Sequence, residues 1–190
     1  MPTYKKWLIG IAFVVCLCVM SYSLGYIAGR SEGGQQKQEA TVTQEATAPS
    51  PSYLISADLF IPNFNACASL LQVSSYQRVQ GDYIEFVNGS QAVAIVGKGD
   101  PAKLDSIMIM FPKYHHQAYI EGYDAISATI SAVSPSTDNK YRGYIMEQLG
   151  LAGDINGTVD NKLSEYNGIR YAAFYDTTKV TFLAMPIPKQ

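Results

Sequence analysis

A chain of 190 residues with a formal net charge of −2 has material for one domain with a buried core plus flanking segments. Within 53–190, ten basic side chains are mixed with thirteen acidic ones and form no basic stripe, which excludes a nucleic-acid footprint. Of the three cysteines only Cys67 lies in that stretch, so an intradomain disulfide is excluded and packing has to supply the stability.

Residues 1–6 form a short basic start with Lys5 and Lys6, expected to stay cytoplasmic. Trp7 to Gly29 follows, an uncharged and mostly apolar run of 23 residues, long enough as a helix to cross a bilayer once. Trp7 at one end and Tyr22 and Tyr26 near the other suit the interfaces. The basic start outweighs Arg30, which predicts a signal anchor with its N-terminus inside and the rest of the chain extracytoplasmic. The alternatives are a secretory signal cleaved near Ser21-Tyr22-Ser23 and a lipidated cysteine, the latter lacking the small residue expected before Cys16 or Cys18. All three export the same domain. Ser21, Gly25 and Gly29 recur every four residues, a stripe through which two membrane helices can approach in a weak homodimer. Residues 30–52 are polar, lack aromatics and end in Pro-Ser-Pro-Ser, the composition of a disordered tether.

From Tyr53 to Gln190 the pattern is globular. Ser56 or Asp58 can cap a helix carrying Leu59, Phe60, Phe64, Cys67, Leu70 and Leu71, with Pro62 expected to break or kink it and Cys67 expected to be buried. Tyr83–Val87 and Ala92–Val96 flank Asn88-Gly89-Ser90, which predicts a tight hairpin, and Leu104–Met110 predicts a third strand. Tyr114–Val133 predicts a helix with Tyr119, Ile120, Tyr123, Ile126, Ile130 and Val133 on its inner face. A second helix, capped by Thr137 or Asp138, carries Tyr141, Ile145 and Leu149 and closes at Gly150. Lys162–Tyr166, Ile169–Tyr175 and Val180–Met185 make a second set of strands turning at Asn167-Gly168 and Asp176–Lys179. The fold expected is α+β: an antiparallel sheet of two β meanders, an N-terminal helix and a central helical pair on one face, and a single transmembrane helix in front.

Asp58-Leu59-Phe60 with Phe64-Asn65, Asp105 to Ile109, Ser134-Pro135, Leu149-Gly150-Leu151 and Asn167-Gly168-Ile169 together resemble small exported domains of bacterial membrane-anchored proteins and lipoproteins. The resemblance implies a bacterial envelope and assigns no functional residue. The element order is also similar to secretion-chaperone-like folds, which carries no function by itself.

His115-His116 with Glu121 is the one arrangement offering a general base and a carboxylate, but no nucleophile or third metal ligand accompanies it. Asp154 to Glu165 places oxygen-bearing residues at calcium-loop spacing, yet Val159 stands where the sharp turn needs glycine and Lys162 occupies a further ligand position. No catalytic, cofactor or metal site is therefore expected. Eleven tyrosines crowd the domain, and Tyr119, Tyr123, Tyr141 and Tyr144 are the candidate recognition surface. The function expected is non-enzymatic binding of a protein or envelope polymer at the membrane. A small hydrolase built on His115 or His116, or an inhibitor or immunity-type module, is the alternative.

Overall fold

The computed structural model describes residues 52–152 and 161–188. The run 7–29 with Ser21, Gly25 and Gly29, the tether up to residue 51, and residues 153–160 of the calcium-like loop lie outside them. No helix among the described residues is long and apolar enough to cross a membrane.

Among the described residues, three helices and seven strands make an α+β fold. In chain order these are α1 (Ala57–Cys67), β1 (Val73–Gln80), β2 (Tyr83–Asn88), β3 (Ala94–Asp100), β4 (Lys103–Pro112), α2 (His116–Val133), α3 (Asn139–Gln148), β5 (Lys162–Tyr166), β6 (Ile169–Tyr175) and β7 (Lys179–Pro186). The strands form one antiparallel sheet in the order β1-β2-β3-β4-β7-β6-β5, with β4 paired to β7 at its centre.

Local chemistry accounts for most of the boundaries. The Ser56 hydroxyl accepts from the Leu59 amide and the Asp138 carboxylate from the Tyr141 amide, each satisfying an orphan donor of a first helical turn. Gly150 takes φ 72° behind α3, where a Cβ would be strained. Asn167 and Gly168, at φ 50° and 73°, make the two-residue turn between β5 and β6.

Several expectations are corrected. Pro62 does not break α1 but sits inside it, with Phe60 and Phe64, both fully buried, holding the helix on either side of the missing bond. The helix stops at Cys67, not Leu71, and Cys67 is exposed. Beyond it, Asn65 acts as a surrogate strand: its amide donates to the Val73 carbonyl at 2.7 Å and its oxygen accepts from the Val73 amide at 2.8 Å. Asn88-Gly89 is not a tight turn. Gly89 keeps a negative φ, and the hairpin closes through the wider 89–93 loop, where Asn88 and Ser90 side chains hold the backbone. The tight turn lies one hairpin earlier at Gly81, φ 52°, which joins β2 to the unforeseen strand β1.

The core lies between the helices and one face of the sheet. Ile84, Phe86, Ile95, Ile107, Ile109 and Phe182 are fully buried there. Phe60 of α1 meets Phe86 at a ring separation of 4.8 Å, and Tyr119 of α2 meets Phe111 edge-on at 5.9 Å. Of the predicted inner face of α2, Ile126, Ile130 and Val133 are buried and Tyr119 packs against the core, while Tyr123 is exposed; beside them lies a buried line of small residues, Ala118, Gly122, Ala125, Thr129 and Ala132, that was not foreseen. At Gly122 the helix backbone comes close to β4. A Cβ at Gly122 would be driven into the Phe111 ring.

Replacing Gly122 with alanine tests that contact. Helix propensity alone favours alanine by about 1 kcal/mol, whereas overpacking costs about 1–3 kcal/mol. Urea unfolding should therefore give net destabilisation for Gly122→Ala, while Gly143→Ala in α3, where nothing lies within 4 Å, should stabilise.

Candidate functional site: the open face of the sheet

Side chains alternate across a strand, so paired registers define which residues share a face. On the face away from the helices, Val96, Met108, Leu183, Ala172 and Leu163 stand in one continuous cross-strand row running from β3 to β5. Beside it runs a second row, Ala94, Met110, Thr181 and Phe174. None of these nine residues carries a charge. Charge appears at the margins, with Glu85 opposite Val96, Lys98 opposite Ser106, and Arg170 between Met185 and Glu165.

This face is not sealed as the inner one is. Leu163 is 56% exposed, Phe174 41% and Val87 37%. Val96, Met108, Met110, Leu183 and Met185 are half-buried, and Ala172 is covered by its larger neighbours. An antiparallel sheet with one solvated face normally shows polar residues at every second position. Here the middle stretches of β3, β4 and β7 carry apolar residues at both parities, with Thr181 a hydroxyl among them and Lys98 and Ser106 at the margin. Sequence reasoning missed this surface although a signal for it was present: Val93 to Val96, Ile107 to Phe111 and Phe182 to Met185 are continuous apolar runs, the pattern of strands covered on both sides.

At one margin Arg170 binds Glu165 at 2.7 Å, and at another the Lys98 ammonium lies 5.9 Å from the Tyr83 ring centroid. The apolar rows therefore sit between charged margins, an arrangement suited to burial against another apolar surface.

The tyrosines proposed from sequence are divided between two helices. Tyr119 is half-buried, donates its hydroxyl to the Leu151 carbonyl at 2.8 Å, and is shifted upward in pKa by burial and by Tyr123. Tyr123 is exposed on the same helix. On α3, Tyr141 stacks on Tyr166 at 4.9 Å and Tyr144 is exposed. At least two of the four thus have structural partners, and none belongs to the open face.

The histidine pair is likewise placed. His115 is the N-cap of α2, its Nδ1 accepting from the Ala118 amide at 3.2 Å, while His116 begins the helix and is exposed. Glu121 is bonded to Ser90 and Gln117, contacts that hold its carboxyl below the usual range. Ser90 in turn accepts from the Ala92 and Val93 amides, so Glu121 fastens the 89–93 loop to the first turns of α2. Asp124, one turn on, gathers the amides of Ser69, Leu70 and Leu71 and the Ser69 hydroxyl at 2.8 Å. Both carboxylates serve as clamps for neighbouring loops. Among the described residues, no group of three or more histidine, cysteine or acidic side chains is placed to hold a metal ion.

No protein-family model matches the chain, and no curated protein or solved structure matches it.

Two tests follow from these placements. Ile109→Ala, on the inner face, should cost about 2–5 kcal/mol in urea unfolding, whereas Met110→Thr, one residue along on the open face, should cost less than about 1 kcal/mol. The second test is pH-dependent. Burial raises Tyr171 and Tyr175 well above an ordinary phenol, and Tyr119 is raised as well. The native state thus holds these protons where the unfolded chain releases them, so stability is intact below pH about 10 and falls as pH rises above it. Phenolate absorbance should show these rings ionising only with unfolding. Among the described residues the buried Tyr171 hydroxyl has no hydrogen-bond partner, so Tyr171→Phe should retain or improve stability. The Tyr175 hydroxyl donates to the Leu149 carbonyl, and Tyr175→Phe should cost about 1 kcal/mol.

Proposed function

We propose that the chain is a membrane-tethered extracytoplasmic binding domain, not an enzyme, and that it engages a protein partner through the open face of its sheet. The observation that carries this reading is the uncharged pair of rows from Val96 to Leu163 and from Ala94 to Phe174, left on the side away from all three described helices. The apolar residues of this face are contiguous, with Leu163 and Phe174 exposed, which is the form an apolar contact surface takes. Met108, Met110 and Met185 make it adaptable, because thioether chains repack around partners of different shape.

The anchor reading belongs to the same proposal. The 23-residue run from Trp7 to Gly29 is the single span, residues 30–52 the tether and 53–190 the domain, with the N-terminus cytoplasmic. A hydrolase built on the histidines is disfavoured by their environment. The His115 Nδ1 is committed to a helix cap and Glu121 to a loop clamp, so neither is free to orient the other for proton transfer. An envelope polymer is a weaker partner than a protein, since the face offers few polar groups to a sugar and no field of unpaired cations to an anionic chain.

The test is in-cell crosslinking followed by recovery of the full chain. With Met108→Glu and Leu183→Glu together, the recovered partner should fall at least about tenfold, because each carboxylate would be buried unpaired. His115→Ala and His116→Ala should leave recovery unchanged. Partner recovery insensitive to the glutamates but abolished by the histidine changes would overturn the reading. Protease added outside intact cells should cleave the domain; complete protection would overturn the orientation.

A further inference from the structure

We infer that Ser69 to Leu71 is a carboxylate-binding site whose resident ligand is the chain's own Asp124, and that the site takes a free carboxylate once that side chain is removed. It is built from α2 and the loop between α1 and β1, so it stands independently of the binding reading given for the open face.

Three successive backbone amides converge on one carboxyl group. The Asp124 Oδ2 accepts from the amides of Leu70 at 2.9 Å, Ser69 at 3.1 Å and Leu71 at 3.3 Å. Its Oδ1 accepts from the Ser69 hydroxyl at 2.8 Å and the Ser69 amide at 3.2 Å. Successive N–H groups aimed at one point form a concavity that selects anions, and backbone nests of this kind capture carboxylates. Bonds to an ionised acceptor are also stronger than neutral ones. Among the described residues Asp124 forms no ion pair, so amide dipoles and one hydroxyl balance its charge. The site recognises the oxyanion itself.

Contacts that do not involve Asp124 hold the loop at both ends. At its start the Ala68 amide donates to the Phe64 carbonyl at 2.8 Å. At its end Asn65 exchanges two hydrogen bonds with Val73, at 2.7 and 2.8 Å, and Leu71 and Val73 are buried in the core. The donors thus belong to one locally braced loop, while the acceptor arrives from α2, 53 to 55 positions away in sequence. Removing the acceptor leaves the donors gathered and unsatisfied, which is the condition under which a small anion binds. Solvent reaches the place, since Ser69 and Leu70 are exposed and Asp124 is only half-buried. In the intact chain the contact is a latch that fastens α2 to the segment entering the edge strand β1. A carboxylate from outside gains the site only by displacing a competitor tied to the same molecule, so the wild-type latch stays closed.

The test is chemical rescue of the full chain in detergent micelles at neutral pH, with sodium formate compared against sodium chloride at equal ionic strength. In chloride, Asp124→Ala should lower the folding equilibrium constant at least about tenfold. Formate should recover half or more of that loss on a logarithmic scale, rising with concentration as a single-site ligand requires. It should also slow hydrogen exchange at the Leu70 and Leu71 amides of Asp124→Ala, while wild type responds to the two salts alike. An Asp124→Ala chain that folds in formate and not in chloride supports the site as well. The inference falls if formate stabilises Asp124→Ala no more than chloride does, or if the variant stays unfolded in both salts. Equal stabilisation of wild type and Asp124→Ala by formate also overturns it, because the anion would then act elsewhere.

Discussion

The structure depends on how closely α2 approaches β4. Ala118, Gly122, Ala125, Thr129 and Ala132 leave the helix without bulk on the side turned to the sheet, and Phe111 fills the space that a Cβ at Gly122 would take. Closeness there determines where everything else lies. Ile126 and Ile130 of α2 are buried in the core, and Phe60, packed against Phe64, meets Phe86. The same seating puts Asp124 under the amides of 69–71, which starts the turn into β1, and brings Glu121 to the 89–93 loop. Helix, loop and edge strand are therefore positioned by one contact between a missing side chain and a large one.

That economy has a consequence for the sheet. All three helices are used on one side, and the inner face reaches the density expected of a protein interior, with Ile95, Ile107, Ile109 and Phe182 completely covered. Nothing described in the chain covers the other side, yet its central strands are built from the same kinds of residue. Selection for stability in water alone would place threonine, lysine or glutamate at Met108, Met110 and Leu183, where β propensity is served without apolar exposure.

Much of the fold was legible in the sequence because its signals are local. Asn167-Gly168 carries its own turn geometry, Gly150 its own left-handed φ, and Ser56 and Asp138 their own caps. Strand β1 was not legible, since Ser74 to Gln80 has no apolar alternation and pairs through backbone bonds at the sheet edge. Asn88-Gly89 misled because Ser90 offers the same backbone amides a competing hydroxyl, which stabilises a wider loop. The inner face of α2 was legible in part, in Ile126, Ile130 and Val133, but its small residues were not: Tyr119 and Tyr123 are larger than Ala118 and Gly122 and dominate any count of apolar bulk, whereas close packing at Phe111 needs the space that Gly122 leaves.

Period-two alternation is a statement about one covered face, and its breakdown is a statement about two. In β3, β4 and β7 it breaks down in register, so that Val96, Met108 and Leu183 meet side by side across three strands. Scattered apolar residues would be unremarkable on any surface, since much of a protein's exterior is carbon. Alignment is different, because it joins single side chains into an area, and area is what association free energy scales with. The inner face is completely covered by the described helices, whereas no described residue covers the second aligned face. Under the binding reading proposed above, that uncharged centre is the surface a partner would bury.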